Sequence, residues 1–209
     1  MKMKNGFTLA EVLITLAIIG VVASLTLPAL MANTQEQQSM TAYRKVLNSL
    51  NEAGQISAAI NGFDYSTMTG AGTIDDSFSD GATMTLGSII HDQLKVSPNA
   101  NDVTLGNQSN CAVLTDGTAI CLGSYTVVGE SDAKSIVVDT NGTKGPNQLA
   151  TCNEEGCTTK SSRKIYDQFY VTLYGGNAYP GLWSAVETLD ADSNENFAAT
   201  YAAGIANIQ

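Results

Sequence analysis

Four cysteines, one histidine and an acid set among apolar residues are the groups in this 209-residue chain whose types and spacing could do chemistry. Cys111 and Cys121 stand 10 positions apart, and Cys152 and Cys157 stand 5 apart. Four cysteines allow three disulfide connectivities. The local pairs, Cys111 with Cys121 and Cys152 with Cys157, are favoured because each brackets a turn. Four thiolates could instead hold zinc, but the C-x2-C spacing usual for such sites is missing. His91 sits beside Asp92 on a predicted surface helix, where a solvated or capping role is the plainer reading. No Ser-His-Asp set can be assembled around a single histidine, and no phosphate-binding Gly-Lys motif occurs. The chain is therefore expected not to be an enzyme, with no catalytic residues and no cofactor beyond the metal question raised below. Trp183, the one tryptophan, is read as packing.

Composition narrows the partners. Only 14% of residues are charged, and 20 acids against 10 bases leave a net charge of −10. Sequence-independent binding to nucleic acid needs Lys and Arg to displace counterions from phosphates, so no direct nucleic-acid partner is expected. Apolar residues make up 44% of the chain and are densest at its start. The remainder is rich in Gly, Ser, Thr, Asn and Asp, a composition of short strands and turns.

Charge order at the N-terminus is the most informative feature. Lys2 and Lys4 precede Gly6, and no further basic residue appears before Arg44. Val12 to Met31 is an uncharged run of 20 residues. As a helix rising about 1.5 Å per residue it spans about 30 Å, the thickness of a bilayer hydrocarbon core. The lysines before it set the N-terminus in the cytoplasm and the rest outside. A secretory signal peptide has a shorter apolar region, about 7–15 residues. A plain single-pass anchor fits the length but gives no reason for Glu11 at its edge, because a carboxylate in lipid is costly without a partner.

Gly6-Phe7-Thr8-Leu9-Ala10-Glu11, followed by the apolar run and Pro28, closely resembles the N-terminal segment of type IV prepilins and type II secretion pseudopilins. The resemblance implies that a prepilin peptidase cuts between Gly6 and Phe7 and methylates the new amine of Phe7. Residues 1–6 would then be a leader, 7–31 a transmembrane and polymerisation helix, 32–62 an amphipathic half of the same helix, and 63–209 a β-rich head. Cleavage removes both lysines and creates an amine that needs a counter-charge among apolar helices. Glu11 of a neighbouring subunit could supply it, which would set the axial register. Pro28 would kink or locally melt the helix so that it packs in a filament. The implied partners are other pilin subunits, the peptidase, the membrane, and an inner-membrane platform with its ATPase. The implied function is a structural filament subunit, or alternatively a minor tip subunit whose head binds a surface, DNA or a secretion substrate. The subunit would sit in the inner membrane and then in a periplasmic or extracellular filament. An oxidising compartment favours the disulfides.

The expected fold is α+β and pilin-like: a long N-terminal helix packed on a small antiparallel sheet. Tyr43, Val46, Leu47, Leu50, Ala53 and Ile60 recur at helical spacing with a slip at Gly54, predicting an apolar face that ends at Asn61-Gly62. A loop is expected over 70–87, a short helix over 86–94, and a hairpin over 111–121 turning at Thr115-Asp116-Gly117 with Cys111 opposite Cys121. Strands are expected at 135–139 and 168–174, the latter followed by a Gly/Pro-rich bend. Asp139-Thr-Asn141-Gly142-Thr-Lys144-Gly145-Pro146-Asn147 is similar to a segment common in pseudopilin-like heads. It reads as a turn. The resemblance also raises a calcium site, which needs about six oxygen ligands, and Asp139 and Asn141 are the only obvious ones. Asp190-Ala-Asp192-Ser-Asn194-Glu195 starts like a calcium loop, but Glu195 stands where the glycine belongs.

Overall fold

The computed structural model describes residues 8–74, 84–98, 102–128, 133–150, 152–153, 156–157 and 166–180. Its backbone falls into two compact units, Met1–Gln38 and Ser39–Gln209. The protein is α+β, with one long N-terminal helix and a six-stranded antiparallel sheet.

Helix α1 spans Leu9–Asn61 and contributes to both units. In the first unit it is apolar on every side from Val12 to Leu27 and turns polar from Asn33 to Gln38. Its stretch Leu9–Leu27 is long and apolar enough to cross a membrane, and none of it is buried within the chain. In the second unit it is amphipathic. Tyr43, Val46, Leu50 and Ala53 are buried in the main core, and Leu47 packs at its margin. The face then departs from the expected one: Gly54 and Ser57 are buried, whereas Ile60 is 73% exposed. The physical reason is a close backbone approach. A Cβ at Gly54 would lie 2.5 Å from the Tyr65 ring and 2.8 Å from the Gly176 carbonyl. Small residues carry this contact, so the seam turns away from Ile60. Gly62, at φ 73°, takes the left-handed conformation that ends the helix.

Helix α2 spans Leu86–Gln93. Thr85 caps it: its hydroxyl accepts from Ser88 N at 3.2 Å, and Ser88 Oγ accepts from Thr85 N at 3.0 Å. Leu86, Ile89 and Ile90 then enter the main core. The loop expected over 70–87 therefore ends before Leu86.

Six strands pair in the order β1-β2-β3-β4-β7-β8, with β1 at Val103–Leu105, β2 at Gln108–Val113, β3 at Ala119–Val128, β4 at Ala133–Asp139, β7 at Gln168–Tyr174 and β8 at Asn177–Pro180. All seven residues of β4 are buried. Alternation sends Ile136 and Val138 into the main core with α1, and Val137 into a second cluster with Leu105, Cys111, Ala119 and Cys121. Leu149 and Tyr170 pack at the margin of that second cluster. A separate pair, β5 (Cys152–Asn153) and β6 (Gly156–Cys157), forms a two-stranded sheet. Two strands of the large sheet, and the small β5–β6 pair, were not expected. The bend predicted after 174 contains β8, and β1 precedes the hairpin.

Candidate functional site

The N-terminal segment begins with a reciprocal cap. Thr8 N and Thr8 Oγ1 donate to Glu11 Oε2 at 3.3 and 3.2 Å, and Glu11 N donates to Thr8 Oγ1 at 3.3 Å. This capping box satisfies amides that the first helical turn otherwise leaves without partners. Glu11 also places negative charge at the positive end of the helix dipole. Beyond it, Leu9, Ile14, Ile19 and Leu25 are 79, 61, 62 and 75% exposed. Thr15, Ser24 and Thr26 return their hydroxyls to backbone carbonyls three or four residues earlier, so their polarity is absorbed within the helix. The segment thus offers apolar surface on every side with one carboxylate at its start. Position 28 is helical, and the side chain of Pro28, like Gly6 and Phe7 as a whole, lies outside the described residues.

In the second unit Cys111 and Cys121 are directly opposite across β2 and β3 and form a disulfide. Both are fully buried. The intervening turn is the expected Thr115-Asp116-Gly117 loop. Leu114 N donates to Thr118 O at 2.7 Å, Asp116 Oδ1 accepts from Thr118 N at 3.0 Å, and Gly117 supplies φ 89°. Asp116 also meets Lys45 of α1 at 2.9 Å. Burial pushes its carboxyl up, but the hydrogen bonds from Lys45 and Thr118 outweigh that and hold it below the ordinary value. An open cavity of about 250 Å³ beside this ion pair is lined by Lys45, Glu52, Lys95 and Asp116, among others. Its charges are of both signs. Backbone pairing sets Cys152 opposite Cys157, while their side chains lie outside the described residues. His91 is exposed near the C-terminal end of α2, its Nδ1 2.9 Å from Asp92 Oδ1.

The segment after β4 is organised by two carboxylates. Asp139 Oδ1 accepts from Asn141 N at 3.0 Å and Gly142 N at 2.8 Å, and its Oδ2 accepts from Gln168 Nε2 at 3.0 Å. Burial, with the nearby Asp167 charge adding, pushes the Asp139 carboxyl up to about 6 against these hydrogen bonds. Asp167 accepts from Asn141 Nδ2 at 3.0 Å, Asn147 N at 2.8 Å and Gln148 N at 2.6 Å. The structure therefore brings Asp139 and Asn141 together, but it joins them to Asp167, which the sequence reading missed. Asp167 belongs to no motif, and its partners lie 19 to 26 residues earlier. Among the described residues no group of three or more His, Cys, Asp or Glu could hold a metal ion. Trp183 and the acids from Asp190 to Glu195 lie outside the described residues.

No curated protein and no solved structure matches the chain. Residues 1–27 match the family model of the prokaryotic N-terminal methylation motif. That match covers the Gly6-Phe7 junction, the Thr8/Glu11 cap and the exposed apolar turns after it, so the chain carries the prepilin-type N-terminal motif of type IV pilins and pseudopilins.

Proposed function

We propose that this protein is a structural subunit of a type IV pilus-like or type II secretion pseudopilus filament. The supporting observation is that one segment combines the N-terminal methylation motif over 1–27 with a helix whose apolar residues are exposed on all sides. An apolar helix with no partner among the described residues needs lipid before assembly and other helices after it. Prepilin peptidase would cut between Gly6 and Phe7 and methylate Phe7. Residues 1–6 would be the leader, 7–31 the spanning and polymerising helix, 32–62 its amphipathic continuation, and 63–209 the head. The subunit would wait in the inner membrane with its N-terminus cytoplasmic. A platform protein and its ATPase would then move it into a periplasmic or extracellular filament. Pro28 would adapt the helix to that packing. A second disulfide, Cys152 with Cys157, would hold β5 to β6.

Glu11 has a defined part in this reading. The new amine at Phe7 is a charge among apolar helices, and a carboxylate from the adjacent subunit neutralises it where the low dielectric makes the attraction strong. An ion left unpaired in such surroundings costs about 3–5 kcal/mol. Substituting Glu11→Ala tests the role: processing at Gly6 should continue while sheared filaments are lost. Normal filament yield from the processed variant would remove the pairing role.

A further inference from the structure

Asp139 and Gln168 are opposite residues of β4 and β7, so the connection 140–167 leaves and returns at one point of the sheet. We infer that Asp167, together with Asp139, closes the neck of this connection as a hydrogen-bonded clasp that replaces a bound cation. Asp167 holds both sides of the neck. Its carbonyl accepts from Thr140 N at 2.8 Å and from Thr140 Oγ1 at 3.0 Å. Its carboxylate takes Asn141 Nδ2, Asn147 N and Gln148 N. Asp139 ties down the first turn through Asn141 N and Gly142 N. Gln168 Nε2 completes the set by bridging Asp139 Oδ2 and the Leu105 carbonyl, both at 3.0 Å. Past the clasp, Leu149 covers the disulfide face of the sheet and Ala150 enters the main core.

The donor arrangement decides against calcium. A calcium ion takes about six to eight oxygens at 2.3–2.6 Å. Here each of the four carboxylate oxygens of Asp139 and Asp167 faces at least one N–H, whose positive end occupies space that a cation would need. Asn141 turns its amide nitrogen, not its oxygen, towards Asp167. Both carboxylates are fully buried, and the N–H donors offset part of the cost of burying them. Among the described residues, Asn141 Oδ1 and Asn147 Oδ1 are buried without a hydrogen-bond partner and are the oxygens left for a cation to use. A calcium titration interrogates them directly.

The test uses the full chain in detergent, stripped with a chelator and followed by near-UV circular dichroism on heating. Adding millimolar calcium should leave the wild-type Tm unchanged. Asp167→Asn keeps the shape but turns an acceptor into a donor facing other donors, and should lower Tm by about 4 °C or more. A calcium-dependent rise in the wild-type Tm that disappears in Asp139→Asn would overturn the inference, and so would an unchanged Tm in Asp167→Asn. If Asp167→Asn does not fold, the wild-type calcium titration decides alone.

Discussion

The hydroxyl of Tyr43 donates a 2.7 Å hydrogen bond to the main-chain carbonyl of Tyr170, tying the amphipathic part of α1 to β7. The Tyr43 ring also tilts against Phe169, with centroids 5.4 Å apart. The two contributions are separable. Tyr43→Phe removes the hydrogen bond alone and should cost about 1 kcal/mol. Tyr43→Ala removes the buried ring as well and should cost about 3–5 kcal/mol. Chemical denaturation of the full chain in detergent, followed by near-UV circular dichroism, measures both. Equal losses would mean that the ring contributes nothing.

Gly54→Ala sets two effects against each other. Helix propensity favours alanine over glycine by about 1 kcal/mol. The added methyl, however, would lie 2.5 Å from Tyr65 and 2.8 Å from the Gly176 carbonyl. A backbone neighbour cannot swing away, and overpacking of this kind costs about 1–3 kcal/mol. The clash should win, giving a net loss of stability in the same denaturation experiment. A stabilised variant would show that α1 and the β7–β8 turn can separate without penalty.

How far the sequence reveals this fold depends on whether the signal is local. The bounds of β7 and the register of the Cys111–Cys121 hairpin were readable because alternation and an Asp-Gly turn are local patterns. The helix face was readable through Ala53 and misread at Ile60, since counting by three and four cannot see that Gly176 approaches Gly54. Strand β8 was hidden because Asn177–Pro180 follows two glycines and ends in proline. An edge strand tolerates such residues, having one side without ladder bonds. Asp167 could not be found at all, because a lone acid signals a clasp only once the chain returns to its partners.

Asp139 predicts a pH dependence. Burial raises its carboxyl from the ordinary 3.8 to about 6 in the folded state. A raised folded value means that the native state binds the proton more tightly than the unfolded chain does. The resulting stability is present below about pH 4 and is lost as pH rises through about 6. The Tm of the wild type relative to Asp139→Asn should therefore fall between pH 4 and pH 7. A constant difference across that range would contradict the buried, ionised carboxylate.

The Cys111–Cys121 bridge closes a short loop, with a sequence separation of 10. Constraining a loop of this size in the unfolded chain stabilises by about 2–3 kcal/mol. The double variant Cys111→Ala/Cys121→Ala should lose about that much while the hairpin persists, because Leu114, Asp116 and Thr118 hold its turn independently. Denaturation with amide hydrogen exchange over residues 111–121 measures both outcomes. Exchange at the unfolded rate throughout the hairpin would show that the bridge alone maintains it.

The most direct measurement is the mass of the N-terminal peptide after co-expression with an active prepilin peptidase. The account predicts a chain that begins at Phe7, without residues 1–6, and carries one methyl group on its amine. A chain that keeps Met1 to Gly6 beside a peptidase shown to cut a known prepilin would contradict it.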